Sequence, residues 1–292
     1  MEHVQRALGA PQRQACRALG QPRSTQRYAP RGREEEGRLV GRMLELVGRH
    51  PRYGYRRIWA LLRAEGWRVN RKRVHRLWRR EGLKVPRRRR RRRRLGSGEN
   101  ACARRPAERP NHVWAWDFIH DRTAGGGPLK WFSVVDEHTR KCLALEAGRR
   151  IASEEVIEVL ARLFREHGTP QCIRSDGGPE FIAKAIRDWL SAIGVEVLYV
   201  EPGSPWENGY AESFHSRLRD ELLNVELFTS VREARAMGQV WRREYNHERP
   251  HSALGYLTPA AFAARCTGPR SATLREAQCN PVPPTTLIAA GT

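Results

Sequence analysis

The chain has 292 residues, 39% of them hydrophobic, and a formal net charge of +22. That length suits about two domains of roughly 100–200 residues each, and that apolar share suits a packed core rather than a disordered chain. No stretch reaches the ~20 apolar residues of a membrane span. The polar segment from Met1 to Arg31 lacks the apolar centre of a secretory signal, so a cytoplasmic protein is expected. Cys16, Cys102, Cys142, Cys172, Cys266 and Cys279 show no zinc-pair spacing and read as buried or incidental thiols.

The charge is unevenly placed. Residues 1–100 hold 30 Lys and Arg against 8 Asp and Glu, whereas residues 101–292 hold 24 of each. The basic excess therefore lies wholly in the first third, which reads as a nucleic-acid-binding arm joined to a neutral domain. Residues 1–45 form an N-terminal arm with a weak helix-turn-helix-like segment. In it a helix over Gln12–Leu19, a turn at Gly20 and a second short helix capped by Ser24 are expected. Residues 46–86 form a stronger, all-α helix-turn-helix. Ile58, Leu61 and Leu62 make one apolar stripe and Gly66 ends it. Asn70 then caps a second helix with the stripe Val74, Leu77 and Trp78, stopped by Gly82. The other faces of that second helix bear Arg71, Lys72, Arg73, Arg76, Arg79 and Arg80. Six cations on one helix repel each other unless an anion lies near, which marks them as candidate DNA contacts. Residues 87–106 are an arginine-rich linker. Its eight consecutive arginines, Arg87 to Arg94, cannot fold on themselves and would bind phosphates in a steeply salt-dependent way.

From residue 107 to 266 the pattern changes. Strands are expected at about 113–119, 130–136, 141–146, 171–175 and 195–200, and helices at about 153–167, 180–193 and 205–223. Three antiparallel strands followed by alternating helices and strands imply an α/β fold with a mixed sheet flanked by helices. That order is similar to the ribonuclease-H-like nucleases and integrases. Residues 267–292, rich in Pro, Ala and Thr, read as a disordered tail.

Three carboxylates stand out in this region. Asp117 interrupts the run Val113-Trp114-Ala115-Trp116-Asp117-Phe118-Ile119, where strand propensity disfavours it. Alternation puts it on the face of Val113, Ala115 and Ile119, opposite Trp114, Trp116 and Phe118. Asp176 ends a strand-like stretch before Gly177-Gly178 and alone would read as a turn residue. Glu212 follows a helix start in which Ser204, Pro205 and Glu207 fit a capping box. Ala211, Phe214, Leu218 and Leu222 give that helix its apolar stripe, while Asn208, Glu212, His215 and Arg219 share a polar face. Three gathered carboxylates suit two hard divalent cations, which can activate an attacking oxygen and stabilise a leaving one at a phosphodiester. Arg249 and His251, in the segment Tyr245 to Tyr256, are further candidate DNA contacts, although that segment also reads as a helix end and a Pro-bounded turn.

Several segments together resemble the larger-frame transposases of the insertion sequence three family, within the retroviral-integrase superfamily. They are Tyr53-Gly54-Tyr55-Arg56-Arg57-Ile58, Val113 to Asp117, Ser175-Asp176 with Gly178-Pro179-Glu180-Phe181, Ser204 to Gly209 leading to Glu212, and Tyr245 to His251 through Thr258-Pro259. The resemblance implies that Asp117, Asp176 and Glu212 are the metal-binding catalytic triad, using Mg2+ with Mn2+ as a substitute. It implies cleavage at the ends of an insertion sequence and transfer of a 3′-hydroxyl into double-stranded DNA, in a bacterial, nucleoid-associated setting. Gly177 departs from the family, where Asn commonly follows the second Asp. The resemblance also implies pairing or fusion with an upstream-frame product and a homo-oligomer on DNA, because this chain has no sustained heptad repeat of its own. The alternatives are a non-catalytic DNA-binding relic or regulator, and a hydrolase of RNA–DNA hybrids.

Overall fold

The computed structural model describes residues 5–7, 9–27, 34–85, 106–175, 184–199 and 209–267. Two compact units divide between His50 and Pro51. The expected arginine run, Asp176, Asn208, the capping box before Glu212 and the Pro-rich tail all lie outside the described residues. Among the described residues no helix is long and apolar enough to cross a membrane.

The first unit contains α1 (Gln12–Ala18), α2 (Arg23–Arg27) and α3 (Glu34–Arg49). Gly20 adopts φ +62°, the left-handed conformation that ends α1. The second helix starts two residues earlier than expected, because the Pro22 carbonyl already accepts from Thr25 and Gln26; Ser24 lies inside the helix and is not its cap. The 16-residue α3 was not anticipated, and it runs across the boundary expected at residues 45–46. Its buried residues Leu39, Met43 and Leu46 recur at helical spacing among Arg, Glu and Gly.

The second unit opens with α4 (Tyr55–Ala64) and α5 (Arg71–Arg80). Ile58 and Leu62 of α4 pack with Val74, Leu77 and Trp78 of α5, all of them buried. Asn70 caps α5 by accepting from the Arg73 N–H at 2.7 Å. Gly66 and Gly82 take positive φ where the two helices stop. The Trp59 indole N–H donates to the Val69 carbonyl at 3.0 Å and so ties the turn to α4.

The remainder of this unit is a five-stranded mixed sheet: β1 (Val113–Arg122), β2 (Pro128–Asp136), β3 (Cys142–Gly148), β4 (Cys172–Ser175) and β5 (Glu196–Tyr199). The spatial order is β3-β2-β1-β4-β5. The β1–β2 and β2–β3 pairs are antiparallel, and β1–β4 and β4–β5 are parallel. Alternation along β1 separates two cores. Trp114 and Trp116 face α6 (Ser153–His167) and α7 (Lys184–Ala192), joining Leu160, Leu163, Ile186 and Leu190. Ile119 faces α8 (Gly209–Leu218) and α9 (Val231–His247), joining Trp131, Phe214, Leu218, Trp241 and Tyr245. A five-residue π turn, Arg219–Leu223, prolongs α8, and α10 (Pro259–Thr267) is the last described helix.

Helix α9 closes the outer edge of the sheet. Arg235, Gln239 and Arg242 donate to the carbonyls of Ala147, Leu145 and Leu143, and Asn246 both donates to the Cys142 carbonyl and accepts from its N–H. Their steps of four, three and four keep them on one helix face. An edge strand left unpaired would invite association, so covering it serves specificity as well as stability. The close approach needs Gly238, where a Cβ would lie 2.6 Å from Trp131 Cζ3. Gly238→Ala is therefore expected to destabilise the protein by about 1–3 kcal/mol through overpacking, read as a lower urea midpoint. An unchanged midpoint would show that α9 can retreat at no cost.

Candidate active site

Asp117 sits in the middle strand of the sheet, and its side chain is only 15% exposed. Its Oδ1 accepts the Phe118 N–H at 2.7 Å. Its Oδ2 lies 3.2 Å from Nδ1 of His215, which reaches down from α8. Across the ladder Asp117 pairs with Ser133 of β2. The Ser133 hydroxyl is 2.9 Å from His215 Nε2 and 3.2 Å from the Asp117 carbonyl oxygen. Burial pushes the His215 imidazole down to about 3, and the Arg219 cation pushes the same way. The ring is therefore neutral near pH 7. A neutral ring facing a carboxylate presents its Nδ1–H to Asp117 Oδ2 and leaves Nε2 to accept from Ser133.

Glu212 lies in the first turn of α8 and is exposed. It precedes His215 by three residues, so the two occupy one helix face, and the contact between His215 and Asp117 brings that face to β1. Strand β4 ends at Ser175, one residue before Asp176, which lies outside the described residues. Buried Arg174 anchors that strand end by donating from Nε to Glu137 Oε1 at 2.8 Å. Among the described residues no group of three His, Cys, Asp or Glu side chains could hold a metal ion.

The other candidates separate into two environments. On α5, Arg71, Lys72, Arg76, Arg79 and Arg80 are exposed and Arg73 is half-buried; Arg80 also pairs with Glu81 at 3.0 Å. Arg219 is exposed at the start of the π turn. By contrast, His215, Arg249 and His251 are buried, at 9%, 3% and 8% exposure. Arg249 grips Glu221 with two bonds of 2.7 Å and packs over the Tyr245 ring. In this arrangement these three side chains serve the interior and present no donor at the surface. Sequence reading misses Ser133 as the partner of His215, and Glu221 as the partner of Arg249 and Arg57, because each pair is far apart in the chain.

A mixed sheet bearing an acidic centre and flanked by helices, preceded by a basic helix-turn-helix, defines a DNA transposase of the integrase class. Integrase core domain models match residues 107–205 and 193–259, and an HTH-like domain model matches residues 34–91. The chain is 38% identical over 265 residues to the insertion element IS407 uncharacterized 31.7 kDa protein of Burkholderia multivorans, covering 91% of this chain and 95% of that protein. It is 28% identical over 254 residues to the transposase InsD for insertion element IS2 of Escherichia coli, covering 82% and 79%. The chain belongs to the insertion sequence three family of transposases. A simian T-cell lymphotropic virus intasome in complex with a PP2A regulatory subunit superposes with a TM-score of 0.47 at 17% identity, over 64% of this chain and 63% of that one.

The buried imidazoles make stability depend on pH. His251 Nε2 lies 3.3 Å from the Arg249 guanidinium, which can only donate, so the ring must accept and stay neutral. Burial, then Arg249, then Arg57, hold its proton affinity down to about 2. The unfolded chain protonates this ring near its ordinary 6.5, and the folded chain does so only near 2, so stability is lost as pH falls below about 6.5. The expected slope from this ring is up to about 1.4 kcal/mol per pH unit. Urea unfolding at about pH 7.5 and about pH 5.5 should give a smaller acid loss for His251→Gln than for the wild type. Equal losses would contradict a neutral buried His251.

Proposed function

We propose that Asp117, Asp176 and Glu212 together bind divalent cations, Mg2+ with Mn2+ able to substitute, and that the chain uses them to cleave insertion-sequence ends and transfer a 3′-hydroxyl into double-stranded DNA. The observation that supports this most is the placement of Asp117: a carboxylate in a central strand, held by a histidine from the helix that bears Glu212. The parallel β1–β4 ladder runs through Ala115 and Arg174, and Asp176 follows the end of β4 in the sequence. The donor set also fits. Hard cations take anionic oxygen ligands, and three carboxylates leave coordination positions for water and phosphate oxygens.

Bound there, the metal ions would activate the attacking oxygen and stabilise the leaving one at the scissile phosphate. The protein groups supply the rest. His215 holds Oδ2 of Asp117, the Phe118 amide holds Oδ1, and Ser133 fixes the ring that orients the carboxylate. Fixing a ligand's free rotation in this way commonly sets metal affinity by about 10–100-fold. This reading moves His215 from DNA contact to positioning. Arg249 and His251 likewise act inside the fold, leaving the exposed cations of α5, with Arg219, to meet phosphates. Asn208 stays a candidate DNA contact. A homo-oligomer on DNA and an upstream-frame partner, as the family resemblance implies, complete the proposal.

The expected outcome is that Asp117→Asn, Asp176→Asn and Glu212→Gln each reduce Mg2+-dependent nicking of a duplex bearing the element's end to background. Binding of that duplex, read by gel shift, should survive in all three. Nicking that persists in any one variant removes that residue from the site.

A further inference from the structure

Glu221 is a buried carboxylate with two cations. Its side chain is 7% exposed. Arg249, from the segment after α9, meets both carboxylate oxygens at 2.7 Å, while Arg57 of α4 meets Oε1 at 3.1 Å. The Tyr53 ring lies under both guanidiniums, 5.1 Å from Arg57 and 6.0 Å from Arg249. Beside it, Arg52 pairs with Asp220. Glu221 and Asp220 belong to the π turn, so the helix-turn-helix region docks on the direct continuation of α8. Trp59 adds an apolar contact, edge-on to Tyr256 at 5.6 Å.

This arrangement is a poor way to gain stability alone. Two charges removed from water are costly, and well-packed apolar residues usually do as well. The repulsion between Arg57 and Arg249 works against the cluster; burial and that neighbour both lower the proton affinity of Arg57. What a bidentate pair does supply is orientation. Its position matters too, since π turns inside helices are frequent at functional sites. Nine residues of helix, about 13 Å, lead from Glu221 back to Glu212. His215, three residues after Glu212, is fastened to Asp117.

We propose that Glu221 is a positioning residue: held by Arg57 on one side and Arg249 on the other, it sets the register of α8. Metal binding at Asp117 and Glu212 then depends on docking of the helix-turn-helix region. The proposal rests on the carboxylate-site reading above. It gives α4 a task distinct from DNA contact, because Arg57 faces the core while the cations of α5 face outward.

Titration calorimetry of the full chain with Mn2+ tests it, using the wild type, Arg57→Met, Arg57→Lys and Glu212→Gln, each also unfolded in urea. Met preserves the packing over Tyr53 and removes the charge. Arg57→Met is expected to stay folded and to bind Mn2+ about tenfold more weakly, the size of effect seen for groups that orient a ligand. Arg57→Lys should fall between it and the wild type. A role confined to stability would lower the urea midpoint and leave Mn2+ affinity unchanged, and that result overturns the proposal. If Arg57→Met does not fold, Arg57→Lys decides on the same criterion, and loss of folding in both assigns the pair to stability alone. Glu212→Gln separates the two readings. Undiminished Mn2+ binding in that variant removes the carboxylate site, and the proposal with it.

Discussion

A carboxylate in the central strand of a sheet packed on both faces must be partnered, or it would resist ionising. Asp117 meets that constraint with the Phe118 amide and the ring of His215, and the arrangement around it follows from the second of these. For His215 to reach Asp117, α8 must lie on the Ile119 face of the sheet, with Phe214 and Leu218 buried beneath it. For its ring to be oriented, β2 must present Ser133 opposite Asp117. Glu212 lies one turn earlier on the same helix. The alternation Trp114-Ala115-Trp116-Asp117 does two jobs at once: it fills the core under α6 and α7, and it sends one carboxylate to the opposite face.

The opposite end of α8 is constrained as firmly. There Leu222 of the π turn enters the core while Glu221 turns to the two arginines. Helix α9 holds this layer against the sheet through Gly238 and the polar side chains that close the β3 edge. The helix bearing Glu212 is therefore fixed in its middle by Asp117 and at its end by the helix-turn-helix region. A chain built this way can tie the assembly of its catalytic centre to the docking of its recognition module, without a separate regulatory domain.

Much of this was legible in local pattern. Period-two alternation separated the two faces of β1, and Asn70, Gly66 and Gly82 bounded the helix-turn-helix because caps and left-handed turns are properties of a few adjacent residues. The range expected for α6 matches the helix found, Ser153–His167. Helix α3 is weakly signalled in the sequence, because its stripe of Leu39, Met43 and Leu46 is only one residue wide among Arg, Glu and Gly. The reading of Arg249 as a phosphate contact shows the other limit. An arginine beside histidine and proline looks free until Glu221, 28 residues away in the chain, is placed against it. His215 seemed part of a polar face for the same reason: Ser133 and Asp117 belong to other strands. Long-range ion pairs leave no periodic trace in a sequence.

On the proposed reading, Asp117 of β1, Asp176 and Glu212 of α8 share one metal site. Anomalous scattering from crystals of the full chain soaked in Mn2+ tests it most directly. Mn2+ peaks are expected within coordination distance of Asp117, Asp176 and Glu212, with His215 contacting Asp117 and not the metal. Peaks elsewhere, or Mn2+ bound through His215 with Glu212 uninvolved, would contradict it.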